Sequence, residues 1–519
     1  MNAIANWIQA RAAIIIALLS ALVFDRLFFR MGLGLNVLLF TLLVVMLIVH
    51  RIGWGGLSKP ARWAMAGALV AAAMAVVHGS VIAPVMAVLA VLWFSALAHE
   101  PVLRSLPFAS VQAISNHLAL PMAVLDGANE LMPKRGVART GWRWARLSVV
   151  PLLVLALFFQ LYRVGNPKFD HLTAGFLDGI WQAIAELLEF VVTAHALFFL
   201  FGLFLCAGLL FRFAPRLVAQ WEQRLGDGMR RVRLKRPHWR APLDMNPLER
   251  ERRRGVVLLA LVNTLLLVVN IIDVDWVWFG FEVPEGFSLK QFVHEGTYAL
   301  IFSILLSIAV VLWFFRGNQN FYWRSAWLKR LALLWVVQNG VLAVSVFLRN
   351  WHYISFHGLA YKRIGVIVFL ALVLVGLVTL FIKVKQRRSL YYLVRVNAWA
   401  AFALLVGLTT VDWDGFIVRV NLGHGNPGEI DIDNYLAMSD KVLPLLYANI
   451  DLVEQQMERH RHNRVRWVDH LDPLAFRALL DGKRDAFLAR QAGQRWQEWT
   501  WADARTRAGL DRIAQTAAL

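Results

Sequence analysis

Apolar runs long enough to cross a bilayer recur from about Ala12 to Trp413, and that recurrence restricts the chain to one kind of fold. Runs such as Leu33 to Val49, Thr193 to Phe213, Gly255 to Ile272 and Ile364 to Ile382 match the roughly 17–25 residues that a membrane helix needs. The chain therefore reads as an all-α, polytopic transmembrane bundle. Composition agrees: 59% of its residues are hydrophobic and 17% charged. A soluble domain averages about 45–50% apolar and about 25% charged, so lipid is the solvent that accounts for the excess. A net charge of +20 would suggest nucleic acid in a soluble protein. In a membrane protein it reflects Lys and Arg gathered in cytoplasmic loops, and no nucleic acid is expected. The single cysteine, Cys206, excludes an intramolecular disulfide.

About eleven spans are expected by length. They lie near 12–29, 33–50, 62–78, 81–98, 145–164, 193–213, 255–275, 295–315, 328–349, 361–382 and 395–412. Arg11 followed by apolar Ala12 to Phe24 mimics a signal peptide, but no small-residue cleavage site precedes Asp25-Arg26, so an uncleaved first helix is expected. Phe108 to Leu125 and Phe176 to Val192 are less apolar and read as amphipathic helices on the membrane surface or rim. Trp54, Trp276, Trp278, Trp351 and Trp413 stand at run ends, where interfacial belts form.

The loops set the orientation. The 212–254 segment is rich in Arg, with Arg230-Arg231-Val232-Arg233-Leu234-Lys235-Arg236 at its centre, whereas the 276–294 loop carries only Lys290 beside Glu282 and Glu285. This bias places 212–254 in the cytoplasm of a bacterial inner membrane, the N-terminus inside and the C-terminus outside. The basic loop is also suited to anionic lipid. Three regions result: 1–144 with about four spans, a surface helix and a basic loop; 145–412 with about seven spans; and a small non-membrane helical tail, 413–519. In the tail, Pro444 suits a first helical turn, Asp472-Pro473 reads as a cap-then-proline start, and a last helix is expected from Gln494 towards Ala517.

Particular blocks in the second half carry a resemblance. They are Glu295-Gly296-Thr297-Tyr298-Ala299-Leu300, Phe314-Phe315-Arg316-Gly317-Asn318, Leu334-Trp335-Val336-Val337-Gln338-Asn339 and Leu348-Arg349-Asn350. His352-Tyr353-Ile354, Gly358 through Val366, and Tyr435-Leu436, Ser439-Asp440 and Pro444-Leu445-Leu446 complete the set. With these the chain resembles the bacterial membrane proteins catalogued as domain of unknown function 4173, close to group 4153. Many members carry Tyr before the Gly-Leu pair, where this chain has His357. The resemblance implies a membrane fold and no assigned activity.

Polar residues in costly places supply the candidate sites. Asn263, Asn270, Gln338 and Asn339 fall within spans, where their amides either bond helices together or line a polar path. His294, Glu295, His352, His357, Asp412, Asp414 and His424 are expected at one outer face. Their chemistry suits a metal, with Glu295, His352 and His357 as catalytic candidates, although capping and loop packing use the same residue types. Lys362 and Arg363 open a span at that face against the positive-inside trend. They suit an anionic ligand or an ion pair with Asp412 and Asp414. No P-loop, GxGxxG after a strand, GxSxG, CxxC or HExxH occurs, and no cofactor is indicated. The expected role is non-enzymatic or transport-like in the cell envelope; the alternatives are a membrane-embedded enzyme with the outer-face His/Asp/Glu site, and an envelope scaffold or sensor.

Overall fold

The computed structural model describes residues 2–131, scattered positions of 144–173, 193–231, 247–279, 289–423, 432, 434–460 and 471–517. The apolar runs among them are helices. In chain order these are α1 (Asn2–Phe28), α2 (Leu35–Ile52), α3 (Lys59–His78), α4 (Ile82–His99), α5 (Leu106–Leu131) and α6 (Ala194–Leu210). They continue as α7 (Leu217–Arg224), α8 (Pro247–Asp273), α9 (Leu289–Phe314), α10 (Ala326–His357), α11 (Tyr361–Gln386) and α12 (Leu390–Thr409). No strand occurs among the described residues. Eight helices there are long and apolar enough to cross a membrane: α2, α3, α4, α8 with its continuation to Phe279, α9 from Gly296, α10, α11 and α12. The chain is an all-α, multi-pass integral membrane protein. Those eight coincide with expected spans; α1 carries the first expected span, and α6 is a shorter apolar helix. The expected span 145–164 is described only in part, and the stretch 176–192 lies outside the described residues.

Two compact units divide the chain, one of Met1–Ala68, Val88–Leu103 and Phe108–Gln220, the other of Leu69–Ala87, Arg104–Pro107 and Trp221–Leu519. In the first unit α1 packs on α6. A Cβ at Gly202 would collide with the Phe24 ring, so this glycine permits the close approach, and Phe24 stacks on Phe198 at 5.3 Å between centroids.

The last carbonyls of α6 lack helical partners, and side chains from α2, α4 and α5 supply them. Arg51 donates to Leu210 O (2.6 Å), Ser95 to Leu209 O (2.6 Å), and Asn116 to Gly208 O (2.6 Å) and Phe211 O (2.8 Å). Asn116 Oδ1 in turn accepts from the N–H of Phe213 (2.6 Å) and of Ala214 (3.0 Å). This makes α5 an inside-out helix. Gln112 and Asn116 are 2% and 5% exposed while Ile114 and Leu118 are 59% and 71% exposed, the reverse of a helix with one face in water.

In the second unit α8, α9 and α11 all pack against α10, and α12 packs on α11. Leu259, Phe315, Leu328, Leu342, Leu377 and Leu380 form the apolar heart of this group. Outward-facing Leu261, Leu265 and Ile271 of α8 are 60–67% exposed, whereas Asn263, Asn270 and Asp273 of the same helix are 3–5% exposed. Only lipid makes that distribution favourable. Past Asp273, α8 runs on as a π-helical turn, Val274–Phe279, whose Trp278 N–H donates to Ser345 Oγ on α10 (3.0 Å).

The tail comprises α13 (Trp413–Gly423), α14 (Leu443–Ala448), α15 (Ile450–His460), α16 (Pro473–Ala492) and α17 (Trp501–Ala517). Asp472 caps α16 by accepting from the N–H of Ala475 (2.7 Å), with Pro473 in the first turn. Pro444 likewise stands in the first turn of α14, without a side-chain cap before it. The last helix begins at Trp501 rather than near Gln494, because Thr500 caps it by accepting from the N–H of Asp503 (3.1 Å). Tyr435, Leu443, Leu446, Phe476 and Phe487 build the tail's core, and Ile354, Leu359 and Ile364 from the ends of α10 and α11 belong to that same core.

Candidate functional site

The turn between α10 and α11 shapes a cavity. Gly358 adopts φ +78°, a conformation open to glycine, and lets the chain reverse after His357. Asn421 of α13 then clamps the next residue, accepting from Leu359 N (2.6 Å) and donating to Leu359 O (2.9 Å). Asn350 donates to Arg363 O (3.1 Å) across the same turn. Around this scaffold lies a cavity of about 410 Å³ at the ends of α9, α10, α11 and α13.

Lys362, Arg363 and His357 line it together with the amides of Asn350, Asn421 and Asn434 and the phenols of Tyr298, Tyr353 and Tyr361. None of its described lining residues is acidic. The guanidinium of Arg363 donates to His357 O (2.8 Å) and to Gly358 O and lies 4.5 Å from the Tyr353 ring centroid. Lys362 is exposed at the rim. Fixed positive charge, amides and phenols in one concave space can hold an anion and hydrogen-bond its hydroxyls or carbonyls.

The structure thus brings His357, Lys362 and Arg363 to one cavity. Asp412 and Asp414 are not among its described lining residues and pair with a residue that sequence reasoning missed: Lys441 Nζ lies 2.9 Å from Asp412 Oδ1 and 3.1 Å from Asp414 Oδ2. Tyr361 and Ser439 also donate to Asp414. Burial works to raise the Asp414 carboxyl, but the two hydroxyls and the Lys441 ammonium outweigh it and hold Asp414 below its ordinary value. His352 faces α8, its Nε2 3.0 Å from Val277 O, where it fastens the π turn. His294 and Glu295 belong to the α9 backbone, but their side chains, and all of His424, lie outside the described residues. Among the described residues, no group of three or more His, Cys, Asp or Glu could hold a metal ion.

Asn263, Asn270 and Gln338 lie along the contact of α8 with α10, and Asn339 follows Gln338 on α10. Gln338 Nε2 donates to Asn263 Oδ1 (3.0 Å), and Asn270 Nδ2 to Gln338 O (3.1 Å). Asn263 Nδ2 donates to Leu259 O (2.6 Å) and Leu331 O (3.1 Å), and Asn339 Nδ2 to Trp335 O (2.8 Å) on its own helix. Among the described residues, the buried oxygens Asn270 Oδ1, Gln338 Oε1 and Asn339 Oδ1 meet no hydrogen-bond donor. Further along, Arg349 donates to Asp273 in a pair whose side chains are 9% and 4% exposed.

Asn350, Asn421, Asn434 and Lys441 were not evident from sequence. Asn350 carried the only signal, a polar residue directly after a span and beside Arg349. Comparison with known proteins gives one result: the family model described as "Domain of unknown function (DUF4153)" matches residues 11–449. No curated protein and no solved structure matches the chain.

Proposed function

Since the chain belongs to the DUF4153 family, whose description carries no activity, we propose from its geometry that it is a non-enzymatic, transport-like envelope protein that binds an anionic, hydroxyl-bearing solute. The observation that carries this reading is the cavity at the α10–α11 turn, where Lys362 and Arg363 stand among amides and phenols and no described lining residue is acidic. Charge distribution supports the orientation. The opposite helix ends of this unit carry Arg250, Arg253, Arg254, Arg316, Arg324, Lys385, Arg387 and Arg388, so that end is cytoplasmic and the cavity faces outward. In this reading the membrane is a bacterial inner membrane, the N-terminus is inside and the C-terminal tail outside, and the basic 212–254 segment meets anionic lipid.

The polar seam favours transport over binding alone. Gln338, Asn339, Ser345, Arg349 and Asn350 follow one another along α10, and Asn350 lines the cavity. Among the described residues three amide oxygens of these mid-span side chains have no partner, so the hydroxyls of a solute entering from the cavity meet free acceptors.

Thermal unfolding of the full chain in lipid nanodiscs, titrated with glycerol phosphate and galacturonate, tests the binding step. At least one is expected to raise the unfolding temperature, and Lys362→Ala is expected to abolish the rise. No stabilisation by either anion, or equal stabilisation of Lys362→Ala, removes the reading. Flux of the bound anion in proteoliposomes, compared with Gln338→Leu/Asn339→Leu, tests the seam. Unchanged flux in that variant sinks the path. For orientation, Cys206 is buried, so the thiol of Lys362→Cys is the one available to an impermeant maleimide, and labelling from outside is expected.

A further inference from the structure

A second cavity, of about 560 Å³, lies between the tail and the membrane helices of the same unit, and its charge is unbalanced. His78 at the end of α3, Arg419 of α13, Lys441, and Arg505 and Arg512 of α17 line it, with Asp412 as its acid. Asp412 is already engaged by Lys441. Among the described residues none of the three guanidinium groups meets a carboxylate: Arg505 lies 5.9 Å from the Trp501 ring centroid, Arg512 Nε donates to Ala508 O (3.3 Å), and Arg419 is exposed.

The fold builds this arrangement. Arg505 and Arg512 are seven residues apart on α17 and so share a face. Gly509 lies between them, and a Cβ there would come within 2.8 Å of Pro444, so the glycine seats α17 closely on α14. The groove's floor is made by the ends of two expected spans: His78 Nε2 lies 3.0 Å from Thr410 O, joining the ends of α3 and α12, and Lys441 Nζ donates to His78 O (3.2 Å). A separate observation points to the same level. Trp496, Trp499 and Trp501 are 57%, 39% and 52% exposed at the start of α17, and tryptophans in that state suit the headgroup zone.

We propose that this groove binds the phosphate of an anionic phospholipid headgroup. Guanidinium groups fork onto phosphate oxygens, and the unpaired charge stands where two spans end, at the depth of lipid phosphates. The same chemistry would accept free phosphate, but the flanking tryptophans and the position at helix ends favour lipid. The site is separate from the cavity at the α10–α11 turn and does not depend on its role. Bound lipid would tie the tail to the bilayer as well as to the protein.

Native mass spectrometry of the full chain, released from nanodiscs of phosphatidylcholine and phosphatidylglycerol, reads the site directly. The wild type is expected to retain phosphatidylglycerol. Arg505→Gln/Arg512→Gln is expected to bind it about tenfold more weakly, with Arg507→Gln on the same helix unchanged. Arg419→Gln, a change on a different element, is expected to weaken retention as well, which separates a lost site from a misfolded α17. Equal retention by the wild type and both groove variants overturns the proposal. So does an equal loss in Arg507→Gln, which would mean general surface charge. Displacement of the lipid by millimolar inorganic phosphate would assign the groove to free phosphate and overturn the lipid assignment.

Discussion

Arg349 on α10 and Asp273 on α8 form an ion pair inside the membrane-spanning seam, and both side chains are almost wholly buried. Removing the cation strands a carboxylate whose second oxygen has no partner among the described residues. Arg349→Met is expected to cost about 3–5 kcal/mol, and adding Asp273→Leu to recover most of it, because a well-packed apolar pair replaces both charges. Unfolding of the four members of this cycle in mild detergent measures the coupling. A double variant no better than Arg349→Met would show that the pair is valued for something other than charge compensation.

Asn116 holds the end of α6 through four hydrogen bonds from one side chain. Asn116→Ala leaves buried carbonyls and N–H groups unmatched, and a loss of about 2–3 kcal/mol is expected. Cys206 provides the readout. It is buried on α6, so its labelling by a small maleimide should accelerate in the variant.

Acid should loosen the tail through Asp414. Its folded pKa is depressed by Ser439, Tyr361 and Lys441 against the opposing effect of burial. Its contribution is therefore complete above the unfolded value of about 3.9 and is lost as pH falls through the folded pKa. Ser439→Ala removes one of the depressing hydrogen bonds, so protease sensitivity of the tail should set in at higher pH than in the wild type. An unshifted onset would mean that another group governs the acid response.

Gly509 is expected to refuse a larger side chain. Its neighbour is the rigid Pro444 ring, whose carbons would stand 2.8 and 2.9 Å from an added Cβ, and a ring cannot rotate away. Gly509→Val should cost about 1–3 kcal/mol of tail stability, read by thermal unfolding.

Element existence was legible wherever length and hydropathy alone decide, which is why α2, α4 and α11 coincide with expected runs. Ends were less legible, and α10 shows why. Its span was expected to stop at 349, since Arg349-Asn350 reads as the start of a loop, yet the helix continues to His357. Asp273, 76 residues away, and the carbonyl of Arg363, across the following turn, satisfy those two residues. The candidate site divides in the same way. Lys362 and Arg363 were visible as charges out of place. That Asp412 and Asp414 turn to Lys441 was not, because nothing local records where the tail crosses the helix ends. Asn116 had a usable signal, a polar residue four positions after Gln112 on a helix whose remaining face is apolar.

Ile354, Leu359 and Ile364 share an apolar core with Phe476, Phe487 and Leu510, more than a hundred residues further along the chain. During synthesis these three wait uncovered while the remaining chain emerges. A chain interrupted before the tail is complete is therefore expected to leave apolar side chains uncovered at the ends of α10 and α11.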